Sequence, residues 1–177
     1  MDLLEHLTKE HREVEALLDQ VAETDPGPER EKLVEEIGTA LGIHMAVEEQ
    51  FVYPIVEDKL GEDELEEADN EHDLAREGLA QMRELVDEGG FKAAVDMVKA
   101  GIGHHVEDEE EKLFPELREK AADEIARLDP DELEAQVKAQ AEAVDLSKAE
   151  LYEQAKAEDI PGRSSMTKEE LKAALAE

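Results

Sequence analysis

Two histidines 33 positions apart occur twice in this chain, His11 with His44 and His72 with His105. The second pair follows the first by 61 positions. The same step carries Glu48 to Glu109, Glu49 to Glu110, Tyr53 to Phe114 and Pro54 to Pro115. Self-similarity at a fixed step marks one supersecondary unit used twice. Whatever the first copy folds into, the second must fold into as well, and the two must share one interior.

The apolar pattern identifies the unit. Leu3, Leu7, His11, Val14, Leu17, Leu18 and Val21 recur at the three- and four-residue steps of a helix face. Asp25-Pro26-Gly27-Pro28 must end that helix, because proline lacks the amide hydrogen that helix propagation needs. A second stripe runs through Leu33, Ile37, Leu41, His44, Val47, Glu48 and Phe51, with Pro54 predicted to kink or break it. A third helix is expected over about 63–86 through Leu65, Ala68, His72, Ala75, Leu79 and Met82, closed by Gly89-Gly90. A fourth begins near Phe91, carries Val95, Val98, Ile102, His105, Glu109 and Leu113, and runs past Pro115 toward Leu128. Short connections between long helices make neighbours antiparallel. Residues 1–128 are therefore predicted to form an all-α, up-down-up-down four-helix bundle.

Asp129-Pro130-Asp131-Glu132 reads as a fresh helix start and predicts a linking helix over 129–143. Two further capping boxes, Ser147-Lys148-Ala149-Glu150 and Thr167-Lys168-Glu169-Glu170, predict a helix–loop–helix unit over 144–177. Charge agrees with this division: residues 1–128 carry a net −25 and residues 144–177 only −3.

Composition excludes several classes. With no cysteine there is no disulfide framework, thiolate metal site, iron–sulfur cluster or cysteine nucleophile. No run approaches the 18 or so apolar residues that span a bilayer. The acidic start Met1-Asp2-Leu3-Leu4-Glu5 is unlike a secretory leader, so a soluble cytoplasmic protein is expected. The net charge of −32 repels nucleic acid and anionic membrane; such an acid-rich surface also suits a salty cytoplasm. Nucleotide loops, Ser/His/Asp arrangements and flavin fingerprints are missing, which argues against hydrolases, transferases and Rossmann enzymes.

The chemistry lies in the repeat. His44 and Glu48, four apart, share one side of a helix, as do His105 and Glu109. His11 and His72 sit on the apolar stripes of their own helices. A bundle brings all six side chains into its core, where four imidazoles and two carboxylates are costly to bury bare. Two divalent metal ions remove that cost. Imidazole with carboxylate suits iron, and carboxylates from opposite helices can bridge two ions. The candidate ligands are therefore His11, His44, Glu48, His72, His105 and Glu109. A lone histidine on an apolar face is more often a hydrogen-bonded core residue; the matched set of six argues otherwise. His6 lies off its stripe and is expected in solvent. His104, turned about 100° from His105, reads as a bystander, or else as a group behind the ligands. Glu49 and Glu110 are expected in solvent, behind the ligands, or substituting as an iron ligand, and Tyr53 either lines the pocket or packs.

The order His, His-x3-Glu, His, His-x3-Glu over about residues 1–120 resembles the hemerythrin-like (HHE cation-binding) family. The resemblance implies a non-haem, carboxylate-bridged pair of iron ions, with His11, His44, His72 and His105 as nitrogen ligands and Glu48 and Glu109 as bridges. Oxygen-carrying members have a fifth histidine one turn after the third; here that place is Arg76, and guanidinium is no ligand. This favours relatives that sense or consume dioxygen, peroxide or nitric oxide, or monitor iron, over reversible carriers. The alternative is an iron- or redox-gated regulatory adaptor acting on DNA or a protein partner.

That alternative draws on the tail, which resembles the helix–extended loop–helix module of the Rho N-terminal and SAP-like type found at the end of bacterial Ku proteins. The resemblance implies nucleic-acid contact, with Lys148, Lys156, Arg163, Lys168 and Lys172 as phosphate donors. Five bases among eight acids make a weak electrostatic footprint.

Overall fold

The computed structural model describes residues 1–61 and 63–144. Its elements are α1 (Leu3–Glu23), α2 (Pro28–Val47), a π turn (Glu48–Val52), α3 (Tyr53–Lys59), α4 (Asp63–Glu84), α5 (Phe91–Asp108), a second π turn (Glu109–Leu113), α6 (Phe114–Lys120), the short α7 (Ala122–Ile125) and α8 (Pro130–Val144). Among the described residues there is no strand. Contacts divide the chain into one unit of residues 1–135 and another of 136–177, the boundary falling within α8. The helix–loop–helix expected over 144–177 lies, beyond Val144, outside the described residues.

In the first unit, α1 packs on α2 and α5, and α4 packs on α5 and α2, which closes a ring of four long helices. This is the up-down-up-down bundle expected from the stripes. Asp2 opens α1 with a capping box: its carboxylate accepts the Glu5 amide at 2.8 Å, and Glu5 reaches back to the Asp2 amide at 3.1 Å. One end of the core is filled by Leu18, Val21, Leu33, Val34, Phe91 and Val95, all buried. Arg30 ties the two loops at that end, donating to the Thr24 carbonyl and, at 3.0 Å, to the Val86 carbonyl, with its guanidinium 4.5 Å from the Phe91 ring centroid.

Several boundaries differ from the sequence reading, among them the helix expected to run toward Leu128, which breaks after Asp108, again after Lys120, and ends at Ile125. The helix expected over 63–86 ends at Glu84, and a turn over 85–87 follows. Leu85 and Val86 still pack on the core, which accounts for their periodicity. Gly90 does not close α4. It is the N-cap of α5 at φ 113°, a conformation in which a side chain would strain the backbone.

The kink expected at Pro54 takes the form of a π turn, repeated at Pro115. Proline has no amide hydrogen, so the turn before it cannot close in α-helical register. The Tyr53 amide instead reaches back five residues to the Glu48 carbonyl, and the Phe114 amide to that of Glu109. Each α-helix then restarts with its proline in the first turn, where the missing donor is harmless. Single π turns of this kind cluster at functional sites.

Candidate metal centre

Four helices deliver the six candidate ligands to the middle of the bundle. His11 lies mid-way along α1 and His72 mid-way along α4. His44 and His105 sit in the last turns of α2 and α5, and Glu48 and Glu109 are the first residues of the two π turns. None of the six is more than 7 % exposed.

The six converge. Nε2 of His11 lies 3.1 Å from Nε2 of His44, and Nε2 of His72 lies 3.3 Å from Nε2 of His105. Each carboxylate stands between the two pairs. Glu48 has Oε1 3.1 Å from His44 Nε2 and Oε2 3.2 Å from His72 Nε2. Glu109 Oε2 lies 3.3 Å from His11 Nε2 and 3.6 Å from His105 Nε2. Two candidate cation groups result, His11–His44–Glu48–Glu109 and Glu48–His72–His105, and Glu48 belongs to both.

Behind this set is a ring of four carboxylates, one on each imidazole. His11 Nδ1–H donates to Glu110 at 2.8 Å and His72 Nδ1–H to Glu49 at 2.8 Å. His44 donates to Glu10 at 3.0 Å and His105 to Glu71 at 3.0 Å. A carboxylate can only accept, so each Nδ1 carries the hydrogen and each Nε2 turns its lone pair inward. Carboxylates in this role fix the tautomer and raise the basicity of a metal-binding imidazole. Glu49 and Glu110 therefore stand behind the candidate ligands, not in open solvent. Glu10 and Glu71 were missed from sequence. Each immediately precedes a candidate histidine, and the 61-residue step relates them, a signal hidden among 51 acids.

The outer carboxylates have partners of their own. Arg12 donates to Glu110, and Arg76 donates to Glu49 at 2.6 Å. His6 is half-buried, not solvated as its place off the stripe suggests: its Nε2 meets Glu134 of α8 at 2.6 Å and lies 3.8 Å from Glu10. His104 is no bystander, since its Nδ1 lies 2.6 Å from the second oxygen of Glu71.

The donor set fits a metal pair on two counts. All four oxygens of Glu48 and Glu109 are buried and accept no hydrogen bond, a condition that costs several kcal/mol per ion when nothing compensates it. The facing Nε2 atoms are too close for two lone pairs unless a proton or a cation lies between them. Without metal, protons take that place. Burial disfavours the charged form of His105, but Glu48, Glu109 and Glu71 outweigh it and raise its pKa to about 9. Burial is likewise outweighed at His44, chiefly by Glu48, and its pKa stands well above the usual range. The Glu109 pKa is raised by burial and by the charge on Glu48.

A small cavity of about 20 Å³ adjoins the four histidines. Its apolar wall pairs residues across the repeat: Val14 with Ala75, Leu41 with Ile102, Met45 with Val106. One aromatic pair breaks the symmetry. Phe114 stacks on His11 at 6.0 Å, whereas Tyr53 stacks on His72 at 5.5 Å and brings its hydroxyl to 3.2 Å from His72 Nε2. Tyr53 thus packs and also lines the site.

Comparison with known families matches residues 2–117 to the hemerythrin HHE cation-binding domain. The match covers well over half of the chain, and the chain belongs to that family. The buried His/Glu groups fit the metal site such a domain implies. The match does not extend to the tail, and no curated protein and no solved structure matches the chain. Among the described residues no helix is long and apolar enough to cross a membrane.

Proposed function

We propose that the chain holds two iron ions bridged by Glu48 and Glu109 and binds a small neutral ligand, dioxygen or nitric oxide, beside them. The observation that carries this reading is the pair of buried carboxylates that accept no hydrogen bond while four imidazole Nε2 atoms surround them. Iron in such a site supplies redox electrons and an open coordination position. The chain's residues supply orientation and exclusion. Glu10, Glu49, Glu71 and Glu110 hold the four imidazoles in the tautomer that presents Nε2. Arg76 is turned outward onto Glu49 and Asp73, so it contributes nothing to the centre directly. The apolar cavity walled by Val14, Leu41, Met45, Ala75, Ile102 and Val106 makes no demand for hydrogen-bonding groups, which suits a neutral diatomic better than an anion.

Elemental analysis of protein from iron-replete cells tests the first half, with about two irons per chain expected from paired bridging carboxylates. Anaerobic ferrous protein titrated with nitric oxide or dioxygen and followed optically tests the second. No bound metal, even after ferrous reconstitution, overturns the reading.

One observation favours the regulatory alternative as a second reading. His44 is joined through Glu10 and His6 to Glu134 on α8, the helix that runs on toward residues 145–177. A change at His44 on metal loading would thereby reach Glu134, near the start of α8. Metal-dependent binding of DNA by the full chain, abolished by His6→Ala with metal content intact, would support it.

A further inference from the structure

We propose that Glu71, His104 and Asp108 form a second cation-binding site at the surface, where a divalent metal ion is captured on its way to the buried centre. His104 Nδ1 lies 2.6 Å from Glu71 Oε1 and 3.5 Å from Asp108 Oδ2, and one donor atom from each residue lies within 4.8 Å of the others. One imidazole with two carboxylates is a donor set for borderline divalent cations. His104 is 59 % exposed, so the site meets solvent directly.

The site opens inward. A cavity of about 60 Å³ has Glu71, Asp108 and Lys112 along one part of its wall and His105 and Glu109 along another. Glu109 is only 2 % exposed and its oxygens accept no hydrogen bond, so a buried, unpartnered carboxylate lines the same cavity as the surface donors. An ion held by Glu71 and Asp108, both part-buried, would pass along a wall shared with Ala68, Lys112 and Leu113 to the buried carboxylate of Glu109.

The repeat argues that this approach is particular to the second hairpin. Stepping back by 61 positions, Ala68, His104, Asp108 and Lys112 correspond to Leu7, Ile43, Val47 and Phe51. Leu7 and Val47 are buried and Phe51 is partly so. The six candidate ligands and their outer glutamates are preserved between the copies. These four positions are apolar in the first copy and small or polar in the second, whereas Leu113 of the same wall corresponds to Val52 and is apolar in both. Lys112 pairs with Asp108 Oδ1, which leaves Oδ2 facing His104 and sets a positive charge beside the passage.

The inference rests on the buried centre binding metal, and the test separates the two. Metal-free full-length protein is mixed with Co(II), and its absorbance gives the rate of loading; a chelator gives the rate of release. A captured ion lowers the barrier in both directions. Asp108→Asn, which leaves the Glu71–His105 contact in place, should therefore slow loading and release by the same factor, about tenfold for a focusing site, with affinity and final stoichiometry unchanged; His104→Ala should slow loading as well. Lys112→Gln should speed both. Parental rates in all variants overturn the proposal. Weakened affinity with unchanged loading also overturns it, because it would show that His104 only positions Glu71. If the parent itself takes up no Co(II), the reading of the buried centre fails, and this inference with it.

Discussion

Arg76 closes on Glu49: its Nη2 lies 2.6 Å from the carboxylate oxygen that also receives Nδ1–H of His72. Arg12 likewise donates to Glu110 behind His11, on the oxygen that His11 leaves free. Yet the two arginines are not partners in the repeat. Arg12 aligns with Asp73, and Arg76 aligns with Glu15. Each arginine also pairs with the acid three positions away on its own helix, in opposite chain order. The two copies reach one contact from different positions, which points to the contact as the property that matters.

An exchange within the first copy tests this. Arg12→Glu should weaken metal binding by about tenfold, the low end of what loss of an outer partner costs. Adding Glu15→Arg makes the first copy resemble the second and should restore most of the affinity. Competition with a chelator measures both variants, and circular dichroism checks their fold.

Stability of the metal-free protein should fall when a bridging carboxylate is removed. Glu109 is one of the charges that outweigh burial and keep the proton on His105. Glu109→Leu, similar in volume, leaves that buried charge with fewer partners and is expected to lower metal-free stability by about 3 kcal/mol, while the variant fails to hold two ions. Chemical denaturation with chelator present, alongside elemental analysis, reads both effects. A more stable metal-free variant would contradict the account of protons standing in for the metal.

Acidity should act on the two states in opposite directions. His44 and His105 have raised pKa values, that of His105 about 9 against an ordinary 6.5. The His105 contribution to metal-free stability is therefore fully present below about 6.5 and is lost as pH rises through about 9, and that of His44 is lost as pH rises through its own raised pKa. Metal must displace those protons, so its affinity should climb over the same interval and binding should release protons. Melting of the chelated protein and metal affinity, both followed across this window, should move with opposite slopes.

Close packing of α4 on α5 depends on Gly78. A Cβ there would fall 2.4 Å from Val98 Cγ2, a stiff β-branched neighbour that is itself buried. Gly78→Ala should cost about 1–3 kcal/mol through overpacking, and Val98→Ala in the same chain should recover part of it. Gly42, where a Cβ would meet open space, gives the control: Gly42→Ala should stabilise α2 by about 0.5–1 kcal/mol. Denaturant midpoints decide both.

Fold and candidate ligands were legible because both leave periodic marks. Apolar stripes place the helices, and the 61-residue step isolates four histidines and two glutamates from a strongly acidic background. The outer layer leaves no such mark. Glu10 and Glu71 resemble any other surface acid until the fold brings them to His44 and His105. His6 and Glu134 meet across 128 positions. The first π turn was legible only as a disturbance at Pro54 and the second not at all, since a missing amide says that register is lost and not how it is regained. Arg76 was recognisable as a non-ligand from its chemistry, but its contact with Glu49 depends on the packing of α4 beside the first π turn.

The exchange of Tyr53 for Phe114 gives the bundle a direction that its repeat would deny it. Around the cavity, Val14 against Ala75 and Met45 against Val106 change only shape between the copies, whereas this exchange changes chemistry. A single hydroxyl beside His72, with none beside His11, makes one end able to donate a hydrogen bond and leaves the other purely apolar. A metal centre held here would then have two unlike ends, and exchanging the two rings would exchange them.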